Sequence, residues 1–286
     1  MRLTVEPLSS WPGPGQPGIV WLGQAGFWIE TGAHRVLIDP YLSDSLARRY
    51  AGKPNDHKRL MPPPVTPEAL PRPDIVLVTH AHTDHMDPDT LAPLARRFPD
   101  LPFVVPAASL DTAQDRIGAD ARLVPVDAGQ RHGLLPGLAI AAVAAAHETL
   151  QTDALGRHPF LGYGLVTAAG TIYHSGDCVP HDGLLSAVRA LAPDIALLPV
   201  NGRDAARLAA GIPGNFTLDE AMTLARAADV PFLVPHHFGM FAFNTCDEGE
   251  IDRAVVATGT PRVIRPHMGE WIRIGTADGP DTRRRG

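Results

Sequence analysis

Short apolar runs bounded by glycine, proline or aspartate recur along the whole chain, and this pattern predicts many short β-strands. The predicted strands cover residues 18–23, 26–30, 34–39, 74–80, 102–106, 121–126, 138–147, 162–167, 170–175, 195–200, 231–237 and 262–266. The first strands follow one another directly, whereas the later ones alternate with helical patterns. This order indicates an α/β (α+β) protein in which two sheets pack together with helices outside.

Four segments space their apolar residues by three and four, as amphipathic helices do. They are residues 87–98, 183–192, 217–228 and 247–258. Thr217 and Glu220 have the Thr-x-x-Glu form of a capping box, which supports the start of the third helix. Because strands and helices continue along the chain, we expect a single domain over residues 1–286.

Proline and glycine mark the segments that we expect to be irregular. Residues 1–17 are predicted to be an irregular lead-in, with the sequence WPGPGQPG at 11–18. Residues 50–74 are rich in proline and too long for a plain connector; since such loops often bind ligands, they are predicted to form an active-site loop. Residues 279–286 are predicted to be a disordered tail.

Composition and charge exclude several classes of protein. The 286 residues are 44% hydrophobic and 20% charged, as in an ordinary globular protein, and the net charge of -6 argues against a nucleic-acid binder. Cys178 and Cys246 are too few for a disulfide framework, and no apolar run approaches the roughly 20 residues of a membrane span. We therefore expect a cytoplasmic protein with a small-molecule substrate and no nucleic-acid or membrane partner, with homo-oligomers allowed.

The strongest chemical signal is VTHAHTDHMD at residues 78–87, which joins a predicted buried strand to a predicted helix. A tight turn can aim His80, His82, Asp84 and His85 at one small volume, whereas a regular strand would divide them between two faces. Neutral imidazoles and carboxylates are good ligands for Zn²⁺ and similar ions. Surface histidines can cluster by chance, but four such ligands in six residues favour a metal site.

The pattern His-x-His-x-Asp-His after a hydrophobic strand resembles the signature of the metallo-β-lactamase-fold hydrolases. That resemblance implies a four-layered αββα sandwich with a dinuclear metal site at the sheet edges. It assigns His80, His82 and His147 to a first metal, and Asp84, His85 and His237 to a second. Asp177 is expected to bridge the two ions.

Three further residues near these positions have expected roles. His236 is kept as the alternative to its neighbour His237. Asp39, in the sequence LIDP, is expected to accept a hydrogen bond from a ligating histidine and so to fix its ring. Cys178, where threonine is common in relatives, is expected to pack as a small apolar residue.

Three stretches are similar to one branch of that superfamily, the L-ascorbate-6-phosphate lactonase-like proteins. They are WLGQAGFWIE, LLPVNGRD and PHHFGMFAFNT. Asn201, Arg203 and His236 from these stretches are candidate substrate contacts. Arg203 could grip a phosphate or carboxylate with its fork of donors, or it could form a surface ion pair with Asp204.

The resemblance implies a hydrolase in which a hydroxide held between two metals attacks a small anionic lactone, ester, amide or phosphoester. Asp84 and Asp177 are the candidate catalytic residues, with Asp84 also able to carry a proton to the leaving group. The ions are expected to be Zn²⁺ or Mn²⁺, and the ligand set also permits iron. The alternatives are a diiron redox protein and an RNA- or DNA-processing nuclease of the same fold, but no flavodoxin-like segment or basic surface is visible.

Overall fold

A computed structural model describes residues 1–275, so the predicted tail at 279–286 lies outside the described residues. The strands, in chain order, are β1 (Arg2–Pro7), β2 (Gly18–Gly23), β3 (Gly26–Glu30), β4 (Arg35–Ile38), β5 (Ile75–Leu77), β6 (Pro102–Pro106), β7 (Arg122–Val126), β8 (Arg131–Leu135), β9 (Leu138–Ala144), β10 (Leu161–Thr167), β11 (Gly170–His174), β12 (Ile195–Pro199), β13 (Phe232–His236), β14 (Arg262–Val263) and β15 (Glu270–Gly275). They form one sheet in the order β1-β15-β2-β3-β4-β5-β6-β7 and a second in the order β14-β13-β12-β11-β10-β9-β8.

The α-helices connect these strands. They are α1 (Ser45–Arg49), α2 (Pro88–Arg97), α3 (Leu110–Ile117), α4 (Leu184–Leu191), α5 (Ala205–Ala209), α6 (Leu218–Ala227) and α7 (Glu248–Val256), and a 3-10 turn at Ala107–Ser109 precedes α3. The four predicted helices are confirmed as α2, α4, α6 and α7. The predicted capping box is also present: the Glu220 amide donates to Thr217 Oγ1 at 3.2 Å, and the Thr217 amide donates to Glu220 Oε2 at 2.9 Å.

The two sheets pack face to face, and alternation along the strands divides their side chains between layers. In β3, Phe27 and Ile29 point into the core between the sheets, where side chains of the second sheet meet them. Trp28 points the other way and packs in a separate core with Leu91 and Leu94 of α2. Helices α4 and α6 pack on the second sheet. The predicted αββα sandwich is therefore confirmed.

Parallel strands bring several chain segments to one edge of the sandwich. Strands β4 to β7 run parallel in the first sheet, and β11 to β14 run parallel in the second. Because β9 and β11 both pair antiparallel with β10, their carboxyl ends also share an edge. The segments that follow β5, β9, β11 and β13 can therefore meet, and these segments carry the predicted metal ligands.

The prediction that residues 1–17 are irregular is wrong for β1. This strand pairs antiparallel with β15, with Leu3 opposite Ile274. Of its six residues only Leu3 is buried, so its sequence has the weak hydrophobic pattern of an edge strand. The pairing with β15, nearly the whole chain away, could not be predicted from local pattern.

The lengths of the helices and the state of the two cysteines are given by the structure of residues 1–275. No helix within residues 1–275 is long and apolar enough to cross a membrane. Cys178 and Cys246 are both free thiols. Burial raises the pKa of Cys178 to about 12, so this side chain packs in the core as a neutral thiol.

Candidate metal centre

The histidine-rich turn begins directly after the buried strand β5 and ends at the N-terminus of α2. Backbone amides of His85 and Met86 donate to the carbonyl of His82, at 3.1 and 2.7 Å, and curl the turn. Asp87 then caps α2 by accepting from the Asp89 amide. As a result the ring of His80 lies 4.0 Å from that of His85, measured between centroids.

Two groups of candidate ligands converge at this edge. In the first, ligand atoms of His80, His82, His147 and Asp177 all lie within 4.8 Å of one another. His147 follows β9, and its Nε2 lies 3.6 Å from Asp177 Oδ2.

The second group consists of Asp84, His85 and His237, whose ligand atoms also lie within 4.8 Å of one another. Asp177, which follows β11, reaches this group too: its carboxylate oxygens lie 3.3 Å from His85 Nε2 and 3.3 Å from His237 Nε2. One carboxylate therefore contacts both groups. All seven predicted ligands are brought together.

The two adjacent histidines at the end of β13 have separate surroundings. His237 has a positive φ of 60°, which turns its side chain towards Asp84 and Asp177. His236 is the last residue of the strand and stacks on His174 in the core, with ring centroids 4.6 Å apart. His236 therefore does not line the substrate cavity, contrary to its place among the candidate substrate contacts.

Hydrogen bonds behind the candidate ligands orient two of the rings. Nδ1 of His85 donates to Asp39 Oδ2 at 2.6 Å, and Thr79 donates to the same carboxylate from its amide and its hydroxyl. Nδ1 of His147 donates to the carbonyl of Gly214 at 3.1 Å. Since each Nδ1 is engaged in this way, Nε2 is the nitrogen left for a metal.

The first group holds its histidines in the neutral state. Burial, reinforced by neighbouring histidines, lowers the pKa of His80 well below its ordinary value and that of His82 to about 4. Burial also lowers the pKa of His147. Neutral imidazole is the form that binds a metal, so this group is prepared for one at neutral pH.

In the second group, by contrast, the surroundings favour the protonated state of the histidines. Burial alone would lower the pKa of His85 and His237, but the charge of Asp177, with that of the other nearby carboxylates, outweighs it. The pKa of His85 is raised well above its ordinary value, and that of His237 is raised to about 9. Burial would raise the pKa of Asp84 and Asp177, yet the same histidines hold both pKa values well below the usual range.

The donor set fits a divalent metal. His80 Nε2, His85 Nε2 and Asp177 Oδ1 are buried and lack a hydrogen-bond partner among the described residues. Buried polar atoms without a partner are rare, and these lie within the two converging groups. Five imidazoles and two carboxylates suit Zn²⁺ and also permit Mn²⁺ or iron.

Gln24 is a further polar residue at the site, and the sequence reasoning missed it. Its Nε2 donates to Asp84 Oδ2 at 2.8 Å and lies 3.1 Å from His237 Nε2. The backbone carbonyl of Gln24 also accepts a hydrogen bond from the His237 amide at 2.9 Å. The available signal was a polar residue in the two-residue turn between β2 and β3, inside the stretch WLGQAGFWIE.

A cavity of about 480 Å³ opens onto both groups. His82, Asp84, His147, Asp177 and His237 line one side of it. The rest of the wall includes Arg49, Tyr50, Asn55, His57, Arg116, Phe241, Phe243 and Asn244. Of the segment predicted as an active-site loop, Tyr50, Pro54, Asn55 and His57 line the cavity, whereas Leu70 is buried in the separate core that contains Trp28.

Arg203 is not at the cavity, contrary to its prediction as a substrate contact. Its guanidinium donates to both carboxylate oxygens of Glu220, each at 2.6 Å, because Gly202 with φ of 68° turns the chain towards α6. Asp204, the alternative partner, pairs instead with Arg207.

Asn201 is buried and does not line the cavity either. It donates to Asn244 Oδ1 at 2.8 Å, and Asn244 does line the cavity. Asn201 can therefore act on a substrate only through its neighbour.

Comparisons with known proteins agree with this geometry. The model of the family described as "Beta-lactamase superfamily domain" matches residues 34–238. The chain is 24% identical over 260 residues to a UPF0173 metal-dependent hydrolase of Aeropyrum pernix, covering 86% of this chain and 93% of that protein. It is 28% identical over 287 residues to a UPF0173 metal-dependent hydrolase of Polynucleobacter asymbioticus, covering 91% of this chain and 87% of that protein. The structure of Igni18, a metallo hydrolase of Ignicoccus hospitalis, is similar in fold, with a TM-score of 0.66, 21% identity, and coverage of 91% of this chain and 99% of that one.

Proposed function

This chain belongs to the beta-lactamase superfamily and is a metal-dependent hydrolase, and from that premise we propose that it binds two divalent ions and hydrolyses a small anionic substrate. The candidate substrate classes are lactones, including those of the lactonase-like branch, esters, amides and phosphoesters. The observation that carries the proposal is the position of Asp177, whose carboxylate contacts both groups of candidate ligands.

The proposed roles follow the two groups. His80, His82 and His147 would hold the first ion, Asp84, His85 and His237 would hold the second, and Asp177 is placed to contribute to both. When bound, such ions would supply a water of near-neutral pKa and would polarise the substrate's carbonyl or phosphoryl oxygen. Asp39 and the carbonyl of Gly214 keep the rings of His85 and His147 in position.

A second proposed role of Asp84 is to carry a proton to the leaving group. In the metal-free protein, burial would raise the pKa of its carboxyl, but His85 and His237 hold it well below the usual range. Asp84 is therefore ionised before a metal binds, which is the form that a ligand needs.

The size of the cavity supports a small-molecule substrate. Its volume of about 480 Å³ lies within the range of ordinary ligand pockets, and aromatic side chains form part of its wall. A protein of net charge -6 also has little attraction for nucleic acid.

The test is a hydrolysis panel of lactones, aryl esters, amides and phosphodiesters, run after reconstitution with Zn²⁺ and separately with Mn²⁺. Elemental analysis in parallel should give two ions per chain in the active form, and turnover should be found in one class. Tight iron with no hydrolysis would favour the redox alternative, and turnover of RNA or DNA alone would favour the nuclease. Full activity with one ion per chain would refute the dinuclear proposal.

A further inference from the structure

Two arginines line the cavity beside the candidate metal ligands, and sequence reasoning identified neither. Arg49 lies in the last turn of α1 and Arg116 in α3. In residues 1–275 neither forms an ion pair with a carboxylate, whereas the neighbouring Arg48 pairs with Asp89. Arg49 and Arg116, the arginine pair, therefore present uncompensated positive charge to the cavity.

The position of Arg116 is fixed by the histidine-rich turn. Its Nη1 donates to the carbonyl of Ala81 at 2.5 Å and to that of Met86 at 3.3 Å. Burial lowers the pKa of Arg116 and the positive charge of Arg49 lowers it further, while the negative charge of Asp87 acts in the opposite direction. Two like charges held near one another are unfavourable until an anion lies between them.

The carboxylates on the same cavity do not compensate this charge once metals are bound. Asp84 and Asp177 are the acidic residues of the wall, and both belong to the candidate ligand groups. Two divalent ions would more than neutralise them. The part of the wall formed by the metal ligands would then be electropositive, as the arginine pair is.

Another part of the wall is aromatic, and it adjoins the arginine pair: the guanidinium carbon of Arg49 lies 5.6 Å from the centroid of the Tyr50 ring. This aromatic part consists of Tyr50, His57, Phe241 and Phe243, which we call the aromatic wall. The ring of His57 stacks on Tyr50 at 4.3 Å and meets the edge of Phe243 at 4.7 Å, while Phe241 and Phe243 stack at 5.7 Å with 9° between their planes.

The aromatic wall is held in place by its own backbone. His57 Nδ1 donates to the carbonyl of Asn55 at 2.6 Å, and both residues have positive φ, of 53° and 60°. Such conformations cost energy in residues other than glycine and persist where the surroundings determine them. The rings of the wall, some stacked and some edge-to-face, are thereby presented to the cavity.

We infer that the substrate carries both an anionic group of the carboxylate or phosphate type, bound by the arginine pair, and a flat ring that packs on the aromatic wall. Guanidinium groups bind such anions with charge-assisted hydrogen bonds, and aromatic rings prefer stacked or edge-to-face partners. This assignment deepens the proposed function and rests on it, because the scissile bond would face the metal ligands that line the same cavity.

The test measures binding rather than turnover, by calorimetry on the protein reconstituted with Zn²⁺. Phenylacetate and benzylphosphonate carry both features, phenylacetamide lacks the charge, and cyclohexylacetate lacks the aromatic ring. We expect the better of the two aromatic anions to bind about tenfold more tightly than each of the other two probes. Which anion binds better distinguishes a carboxylate substrate from a phosphate one.

Variants locate the binding. Arg49→Ala should weaken binding of the aromatic anions about tenfold and leave phenylacetamide unchanged, whereas Arg48→Ala, one residue away but paired with Asp89, should change neither. At Arg116 the variant is Arg116→Lys, because alanine could disturb the histidine-rich turn. Lysine keeps the charge but loses the forked pair of donors, so the aromatic anions should bind more weakly. Phe243→Ala should bring phenylacetate down to the affinity of cyclohexylacetate.

Equal binding of the charged and neutral probes would overturn the inference. So would unchanged binding of the anions in both Arg49→Ala and Arg116→Lys, because the metals alone would then hold the anion. If the hydrolysis panel showed no turnover, that result would count against the proposed function, whereas the binding results would still test this inference separately.

Discussion

The two halves of the metal centre share Asp177 but hold their histidines in different states. In the neutral half, formed by His80, His82 and His147, burial keeps the pKa values low and the rings uncharged. In the ion-paired half, His85 and His237 lie among carboxylates that raise their pKa values despite burial.

The difference comes from where the carboxylates lie, not from depth. Each half contains two buried histidines and one residue that is less buried, His82 in the neutral half and Asp84 in the ion-paired half, and both halves draw residues from the same turn. The ion-paired half contacts Asp39, Asp84 and Asp177, whereas in the neutral half the second nitrogen of His147 meets a backbone carbonyl. The neutral half is thus ready for a cation at pH 7, and the ion-paired half must first lose protons.

Removing the shared carboxylate should have the largest effect, because it breaks both halves at once. In Asp177→Ala we expect metal content to fall and hydrolysis to drop by more than about 100-fold, since even residues behind metal ligands commonly cost about 10- to 100-fold. Metal analysis and kinetics on the folded variant check this. Two ions per chain with full activity would contradict the role of Asp177.

The pH dependence of metal binding should separate the halves directly. Between pH 7 and 9 the affinity of the neutral half should stay constant, because its histidines are already deprotonated. Binding in the ion-paired half should tighten by about tenfold per pH unit for each proton displaced, until pH passes the value of about 9 at His237. Calorimetric Zn²⁺ titrations in buffers of different ionisation enthalpy measure both the affinity and the protons released.

The metal-free protein provides the control for this pH series, because its folding stability should fall over the pH range in which metal binding tightens. A raised pKa means that the folded state holds the His237 proton more tightly than the unfolded chain does. That contribution to stability is fully present below about pH 6.5 and is lost as pH rises through about 9. Parallel tightening of both metal sites with pH, or a metal-free fold that gains stability from pH 7 to 9, would contradict the assignment of the two halves.

Gln24 offers a way to disturb the ion-paired half alone. Gln24→Ala removes the amide that donates to Asp84 and lies against His237. We expect about a tenfold loss of metal affinity in that half and little change in the neutral half, which Gln24 does not touch. Titration with Zn²⁺ should show the weaker binding step alone shifted, and an equal loss at both steps would show that Gln24 acts on the fold instead.

How far the sequence predicts this centre depends on how local each contact is. The turn from His80 to His85 is encoded within six residues, and the strand and helix on either side predict its position. His147, Asp177 and His237 came from resemblance, because only the tertiary fold brings the ends of β9, β11 and β13 together. Strand alternation explains why His237 rather than His236 reaches the site: β13 ends at His236, which faces the core.

Two of the residues that sequence reasoning missed, Gln24 and Arg49, reach the site from elements with weak patterns. Gln24 lies in a two-residue turn, and Arg49 lies at the end of the five-residue helix α1, which was not predicted. Nothing local distinguishes Arg49, which faces the cavity, from Arg48, which pairs with Asp89. Sequence reasoning offered a stronger argument for Arg203 at the substrate, yet in the structure Arg203 forms an ion pair with Glu220 of α6.

Substitution of Arg203 should have the smallest effect, because Arg203 contacts no ligand of the neutral half and only supports the segment that orients His147. Its Nη1 donates to the carbonyl of Asn215, next to the Gly214 carbonyl that orients His147. Since the pair with Glu220 is partly exposed, Arg203→Ala should cost about 1 kcal/mol of unfolding free energy or less. Arg72→Ala, at the exposed pair with Asp100, is the matched control and should change stability little.

Only Arg203→Ala, and not Arg72→Ala, should weaken metal binding in the neutral half, and by less than the tenfold expected in the other half for Gln24→Ala. KM should not change, because Arg203 does not reach the cavity. A tenfold rise in KM would instead mean that Arg203 leaves Glu220 to bind substrate.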